Sequence, residues 1–408
     1  MTGALAESQE LLLRLLDSGN RADPYPLYGE IRDRGPMLLP DINLAVFSRY
    51  ADCYDVLRHP DSASDRLKST VAQRAIAEGE PARPLGTPGF LFLDPPDHTR
   101  LRKLAQQAFT PKVVKALQPD IAGLVDALLD KAAAKGHFDL IEDLAYPLPV
   151  AVICRLLGVP LEDEPEFSHA SALSARSLDP FITFTGDIPD DFDERMEAGL
   201  WLRQYLRDLV ARRRAQPGED LMSRLIGAEE DGDQLTEDEI VATCNLLLIA
   251  GHETTVNLIA NAALAMLREP RHWAALAGDL TRAPAIIEET LRHDPPVQLV
   301  ARIAAEDLEI NGVTVPKGDT AMLLTAAAQR DPAMYVDAEV FDPDRGAIKH
   351  LAFGHGPHFC LGAPLARMEA QLALTMVTER FPKARLAGPA QYKPNLTLRG
   401  LASQTVLV

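Results

Sequence analysis

The chain of 408 residues is long enough for one large domain or for two or three of ordinary size. Its 47% hydrophobic and 25% charged content excludes a disordered chain, and the excess of 59 acidic over 41 basic residues, a net charge of −18, argues against general binding to nucleic acid or to anionic membranes. Four scattered cysteines, Cys53, Cys154, Cys244 and Cys360, form neither a zinc-type CxxC pattern nor a disulfide framework and fit a reducing cytoplasm.

Taken in chain order, the first segment has a short apolar stretch broken by Arg14 with no basic run before it, and reads as a leading helix rather than a signal peptide. LAVFSR at 44–49 reads as a strand, and apolar residues then recur at three and four spacing through most of 98–300, the pattern of amphipathic helices. The longest such run, EIVATCNLLLIAGHETTVNLIANAALAML, is polar only in its middle. Its apolar stretch 241–251 runs into His252 and Glu253, so no window supplies the roughly 18 to 20 uninterrupted apolar residues of a membrane span. Alternating segments at 301–324 flank Asn311-Gly312, a hairpin turn, and LTLRGLASQTVLV closes the chain as strand. The 31 prolines gather in connectors such as LDPPDH and HDPPVQ, and no linker, repeat or low-complexity tract divides the chain. These patterns predict a mainly α fold with small β-sheets in a single domain, 1–408, with mobile surface segments at 61–90 and 177–195.

The sharpest chemical signal is FGHGPHFCLGAPLAR at 353–367. Cys360 stands in a glycine-crowded turn just before a helical pattern, where free backbone N–H groups and the positive helix end favour a thiolate, and glycines let a flat, bulky group approach the backbone. Two other readings fit these residues: a zinc site of Cys360, His355 and His358 without an evident fourth ligand, and a cysteine hydrolase in which His358 would be the base. The segment resembles the haem-ligand loop of the cytochrome P-450 family, whose cysteine thiolate is the proximal ligand of haem iron. The resemblance spans nearly the whole chain. It implies a triangular-prism helical fold around a buried haem b, with Cys360 on the iron, Phe353 and Gly354 beside the ring, and Gly251 among the cofactor-binding residues, removing side-chain bulk where dioxygen must fit.

Three further segments carry the same resemblance. Ala250-Gly251-His252-Glu253-Thr254-Thr255 is similar to the oxygen-binding stretch, in which Glu253 would relay protons and Thr254 would hydrogen-bond the bound oxygen. Buried without such a task, an acid and a hydroxyl in an apolar helix are costly. Glu289-Thr290-Leu291-Arg292 resembles the family's ExxR motif and FDPDR its meander, which implies a buried network of Glu289, Arg292 and Arg345. In DPPDHTRLRKLAQQAFTP, His98 and Arg102 lie four apart on one helical face. With Arg302 and His358 they match the residues that grip haem propionates.

The resemblance also places Leu246, Ile249, Ala250, Val297, Gln298, Leu299, Thr397 and Leu398 around a substrate pocket, mainly apolar and suited to a lipophilic small molecule. It implies a cytoplasmic monooxygenase that uses O2 to hydroxylate or epoxidise its substrate. Electrons from NAD(P)H would arrive through ferredoxin reductase and ferredoxin, docked at Arg100, Arg102, Lys103 and Lys112. The rival function from another class is a haem protein that binds a ligand without turnover.

Overall fold

A helix of 32 residues, Glu237–Arg268, is the axis around which the other helices assemble. Its start is fixed by a capping box: Thr236 Oγ1 accepts from the Glu239 amide, and the Glu239 carboxylate accepts from the Thr236 amide at 2.8 Å. Glu237, Asp238 and Glu239 in the first turn oppose the positive end of the helix dipole. From Thr255 to Leu264 every residue is buried, so this stretch is apolar or neutral on all faces, as a helix enclosed by others requires. Helices Pro147–Leu157, Phe192–Ala215, Ala283–His293 and Ala363–Arg380 pack on it, and Pro111–Lys135 packs on Ala363–Arg380.

The structure is a computed structural model that describes residues 2–408 apart from 84, 107, 108, 228, 231 and 232. Residue 84 of the expected mobile segment 61–90, and residues 107 and 108 of the segment carrying His98, therefore lie outside the described residues.

The strands form small sheets beside the helices. The largest runs in the order Met37–Leu39, Leu44–Phe47, Thr320–Leu323, Val300–Ala304 and Ser62–Ala63, with one parallel pair between Leu44–Phe47 and Thr320–Leu323. Leu44–Phe47 is buried on both faces: Leu44 and Val46 enter the apolar cluster of Leu12, Leu15 and Tyr28, while Ala45 and Phe47 enter that of Val56 and Leu308. That double burial explains its unbroken apolar run. The expected turn is present, with Asn311 at φ 49° and Gly312 at φ 85° joining Leu308–Ile310 to Val313–Val315.

Neither segment expected to be mobile is without structure. Segment 61–90 holds the helix Thr70–Ala77, and the Arg203 side chain ties it to Phe192–Ala215 by donating to Thr87 O at 2.9 Å. In 177–195 the short helix Phe181–Thr185 follows Asp179, whose carboxylate accepts from the Leu396 and Thr397 amides at 3.0 and 2.7 Å.

One buried network positions the cysteine loop. Glu289, fully buried, accepts two hydrogen bonds from Arg292, at 2.7 and 2.8 Å, one from the Asp342 amide at 2.8 Å and one from Arg345 at 3.1 Å. Arg292 spends its remaining donors on the carbonyls of Gln329, Ala338 and Val340. The Gln329 side chain then accepts from the Leu351 amide at 2.8 Å, Leu351 O accepts from the Gly354 amide and Phe353 O from the Cys360 amide. Removing one member strands a buried charge. Arg292→Ala is therefore expected to lower the stability to urea by about 3 to 5 kcal/mol. Arg345→Ala, whose side chain is 12% exposed, is expected to cost less.

Candidate functional site

Cys360 reaches its position through a loop whose backbone favours glycine at two points. Gly354 and Gly356 sit at φ 69° and 71°, and a Cβ on Gly356 would lie 3.1 Å from Leu57 O. The thiol faces a cavity and is followed by the helix Ala363–Arg380. Burial pushes its pKa up, against the opposing pull of the Gly362 and Ala363 amides and the Arg102 and Arg367 guanidinium groups. The sequence leads one to expect a helix end that lowers this pKa. That pull is present, but in the protein alone desolvation outweighs it.

The cavity holds about 1460 Å³ of space free of protein atoms, part of it open to solvent. Its walls are mostly apolar, from Phe90 and Leu91, Val152 and Ile153, the central helix, Val297 and Val300. Its polar end collects bases with no acid. Arg302 is buried and donates to Ala301 O at 2.9 Å; burial pushes its pKa down to about 10. His358 is pushed down to about 3 by burial, then by the charges of Arg302 and His98. The His98 ring lies 4.0 Å from that of His358, and neither of its nitrogens has a hydrogen-bond partner, nor has His358 Nδ1. Arg102 lines the cavity and donates to Phe359 O. Asp94, the acid whose charge acts on them, is itself held by Lys68 at 2.8 Å and by the Ser64 amide at 2.7 Å.

The central helix presents Leu246, Ala250 and Thr254, each four apart, and the adjacent stripe Leu247, Gly251, Thr255 and Leu258 to the cavity. Thr254 Oγ1 donates to Ala250 O at 2.6 Å, so its hydroxyl faces the cavity while tied to its own helix. Glu253 is outside the wall: its carboxylate meets Lys393 Nζ at 2.6 Å. The acid and the alcohol of the sequence signature thus lie on different faces.

Of the other residues expected in the pocket, Leu246, Ala250 and Val297 stand in its wall and Ile249, Gln298, Leu299, Thr397 and Leu398 do not. Ile249 shares the Glu253 face, four residues earlier. Gln298 donates to Pro295 O at 2.6 Å, Leu299 joins the Leu12 cluster, Thr397 donates to Leu178 O at 3.0 Å, and Leu398 bridges to Val297. Among the expected docking cations, Arg100 is paired with Glu239 and Arg102 faces inward, while Lys103 and Lys112 are exposed.

Two features escaped the sequence reading. Glu288, beside Glu289, is gripped by Arg367 at 2.6 and 2.9 Å and by His350 at 3.0 Å, and Arg367 lies 4.5 Å over the Phe353 ring. The second is Glu369, a buried carboxyl on the cavity wall whose Oε2 has no partner and which burial pushes up to about 8. Its signal was present: Leu365 and Glu369 are four apart, so an acid continues the apolar face of the helix that follows Cys360.

The geometry weakens two rival readings. A histidine held at about 3 is a poor base for a hydrolase at neutral pH. For zinc, the His355 ring lies 4.7 Å from Tyr54, and among the described residues no cluster of three or more His, Cys, Asp or Glu could hold a metal ion.

Comparison with known proteins supplies the context. The family model described as Cytochrome P450 matches residues 54–283 and 277–386. The chain is 39% identical over 410 residues to the cytochrome P450 monooxygenase PikC of Streptomyces venezuelae, covering 98% of this chain and 94% of that one. It is 40% identical over 392 residues to the vitamin D(3) 25-hydroxylase of Pseudonocardia autotrophica, covering 94% and 93%. Mycobacterium smegmatis CYP164A2 in its ligand-free crystal structure superposes with a TM-score of 0.93 at 64% identity, over 98% of this chain and 100% of that one, and its econazole-bound structure gives the same TM-score at 63% identity.

The Glu288 clamp has a pH signature. Burial alone would raise this carboxyl, but hydrogen bonds from Arg367 and His350, with their charges, outweigh it and hold it at about 2 against an ordinary 4.5. A depressed carboxylate stabilises the fold fully above the higher value and loses that contribution as pH falls through the lower. Urea unfolding of Arg367→Leu is therefore expected to show less loss of stability on acidification from pH 4.5 toward 2 than the parent chain.

Proposed function

The chain belongs to the cytochrome P450 family of haem-thiolate monooxygenases, and from that premise we propose that it binds haem b with Cys360 as the iron ligand and oxygenates a lipophilic small molecule, as one domain spanning 1–408. The observation that carries this reading is that one cavity is lined by the Cys360 thiol and by Arg102, Arg302 and His358, with His98 packed against His358, and that the acid whose charge acts on them, Asp94, is already paired with Lys68. The residues fit the group. Two propionates would give Arg102, Arg302, His98 and His358 the anions they lack, and a cation at the thiol would offset the desolvation that keeps it protonated. The left-handed turn at Gly354 and Gly356 keeps side chains out of the space beside Phe353.

Haem bound there supplies the activation of dioxygen, in a net reaction that takes substrate, O2, two electrons and two protons to oxygenated product and water. The chain's own residues set the surroundings. Gly251 leaves the cavity face of the central helix without a side chain, and Thr254 presents a hydroxyl that can exchange its bond to Ala250 O for one to an oxygen atom in the cavity. Glu253, partly exposed beside Lys393, stands where it can take protons from solvent on the other face. Leu246, Leu247, Val152 and Val297 exclude water and favour an apolar substrate. Family members use lipophilic substrates and O2; one relative acts on vitamin D(3), and another binds econazole. Electrons from NAD(P)H would come through ferredoxin reductase and ferredoxin, for which the exposed Lys103 and Lys112 offer local positive charge in an acidic protein. No helix among the described residues is long and apolar enough to cross a membrane, which accords with action in the cytoplasm.

The carbon-monoxide difference spectrum of the reduced, haem-loaded protein is expected to show the strongly red-shifted Soret band of thiolate ligation, and Cys360→His is expected to abolish that shift; an ordinary carbonyl band in the parent would refute the reading. Thr254→Ala is expected to keep the band but lower the product-forming rate on the order of tenfold to a hundredfold, with peroxide released instead. A haem protein that only binds its ligand would show no such change.

A further inference from the structure

The irregular segment 393–400 is a strap between two parts of the molecule. On one side it meets the connection that joins helix Glu164–Arg176 to Phe181–Thr185. There the Asp179 carboxylate accepts from the Leu396 and Thr397 amides at 3.0 and 2.7 Å, and Thr397 Oγ1 donates to Leu178 O at 3.0 Å. On the other side it meets the cavity wall. The Gln298 amide donates to Thr397 O at 2.9 Å, the Arg399 amide donates to Pro296 O at 2.8 Å, and Leu398 bridges to Val297, which lines the cavity. Residues 396–399 are thus shared between Asp179 and the wall segment 296–298.

A strap with no continuous ladder must find partners for its backbone groups elsewhere. At its start, Arg21 donates to Pro394 O at 2.8 Å. At its end, the Arg399 side chain donates to Asp294 at 2.7 Å and to the carbonyls of Arg21 and Ala22. Gly400 lies so close to the central helix that a Cβ there would collide with the Asn257 side-chain amide. Between these held ends Asp179 takes the Leu396 and Thr397 amides, one on each carboxylate oxygen, and its charge strengthens both bonds. None of residues 177–185, all of them described, lines the cavity, so Asp179 reaches the cavity through the strap.

We propose that Asp179 is a positioning residue for substrate selection: by holding the middle of the strap it fixes Val297 in the cavity wall, and so sets how tightly the cavity closes on a large apolar ligand. This deepens the monooxygenase reading and rests on it. Without the carboxylate the ends of the strap stay held while its middle is free to shift, and Leu398 takes Val297 with it. A large ligand that packs on Val297 gains from a wall fixed in advance, because ordering the wall on binding costs conformational entropy. A small ligand that leaves Val297 untouched is indifferent to it.

The test uses the full-length, haem-loaded protein and two probes that report on haem through an imidazole nitrogen: imidazole, which is small, and econazole, which is large and apolar. D179A is expected to weaken econazole binding on the order of tenfold, chiefly through faster release, and to leave imidazole binding within about twofold of the parent. D179N, which keeps one carbonyl oxygen as acceptor, should fall between. In a V297A background D179A should alter econazole binding by no more than about twofold, because the side chain through which it acts has been cut back. D187A, at an exposed carboxylate a few residues further on, should match the parent. Hydrogen exchange gives a readout that involves neither ligand nor turnover: the Leu396 and Thr397 amides should exchange faster in D179A. Unchanged exchange at those amides, an equal effect on both probes, or full additivity with V297A overturns this inference alone. If D179A does not fold, D179N carries the same three comparisons. Econazole failing to bind where imidazole binds overturns the apolar-pocket reading, and absence of thiolate-bound haem overturns the monooxygenase reading, each with this inference.

Discussion

The structure depends on one charge that cannot reach water. Glu289 is fully buried, and an isolated carboxylate there would cost several kcal/mol, so the chain must bring it partners. Arg292 arrives on the same helix three residues on, but Arg345 and the Asp342 amide come from a segment more than fifty residues downstream. Satisfying Glu289 therefore folds the irregular stretch between Gln329 and Arg345 into one arrangement. The same guanidinium groups bind carbonyls of that stretch, and Gln329 hands the restraint to Leu351 and so to the cysteine loop. A loop with two left-handed glycines has many conformations open to it in isolation. Its single arrangement is set from outside.

A second electrostatic pattern divides the cavity. The protein as a whole is strongly acidic, yet the cavity's polar end gathers Arg102, Arg302 and His358, with His98 packed against His358, while the acid on its wall, Glu369, stands without a base. Both conditions are unfavourable in the protein alone, and they respond in opposite ways. Desolvation lowers the pKa of Arg302 and His358 and raises that of Glu369, in each case disfavouring the charged form. An anionic group at the basic end relieves the first set. Nothing on the wall relieves Glu369, whose Oε2 has no partner, so the carboxyl keeps its proton at neutral pH.

What could be read from the sequence follows the range of the interactions. The Glu289–Arg292 pair lies within one helical turn, the His98–Arg102 spacing within one more, and the glycines of the cysteine loop are local to it, so each could be matched to a motif of the family it resembles. The small sheets were legible where alternation or an Asn-Gly turn marked them. The Glu253–Lys393 pair spans 140 residues and the Glu288–Arg367 clamp 79, and no local pattern predicts which surface cation a given acid will meet. The five pocket residues that lie elsewhere failed for related reasons. Thr397 is taken up by a backbone carbonyl of a distant segment and Leu299 belongs to the core behind the sheet, contacts that only the tertiary fold creates, while Gln298 turns back to the Pro295 carbonyl three residues before it.

The central helix shows where local reasoning could have gone further. Successive residues of an α-helix point about 100° apart, so Glu253 and Thr254 cannot both look straight into one cavity. Once Leu246 and Ala250 are assigned to the wall, Thr254 follows at the next turn, while Ile249 and Glu253 follow each other onto the neighbouring face. The helix is then a partition between a hydroxyl on the cavity side and an ion pair reachable from solvent on the other. A proton taken up at Glu253 has to move around the helix, past Gly251 or Thr254, before it reaches the space where oxygen would react. A partition of this kind keeps bulk water out of an apolar chamber.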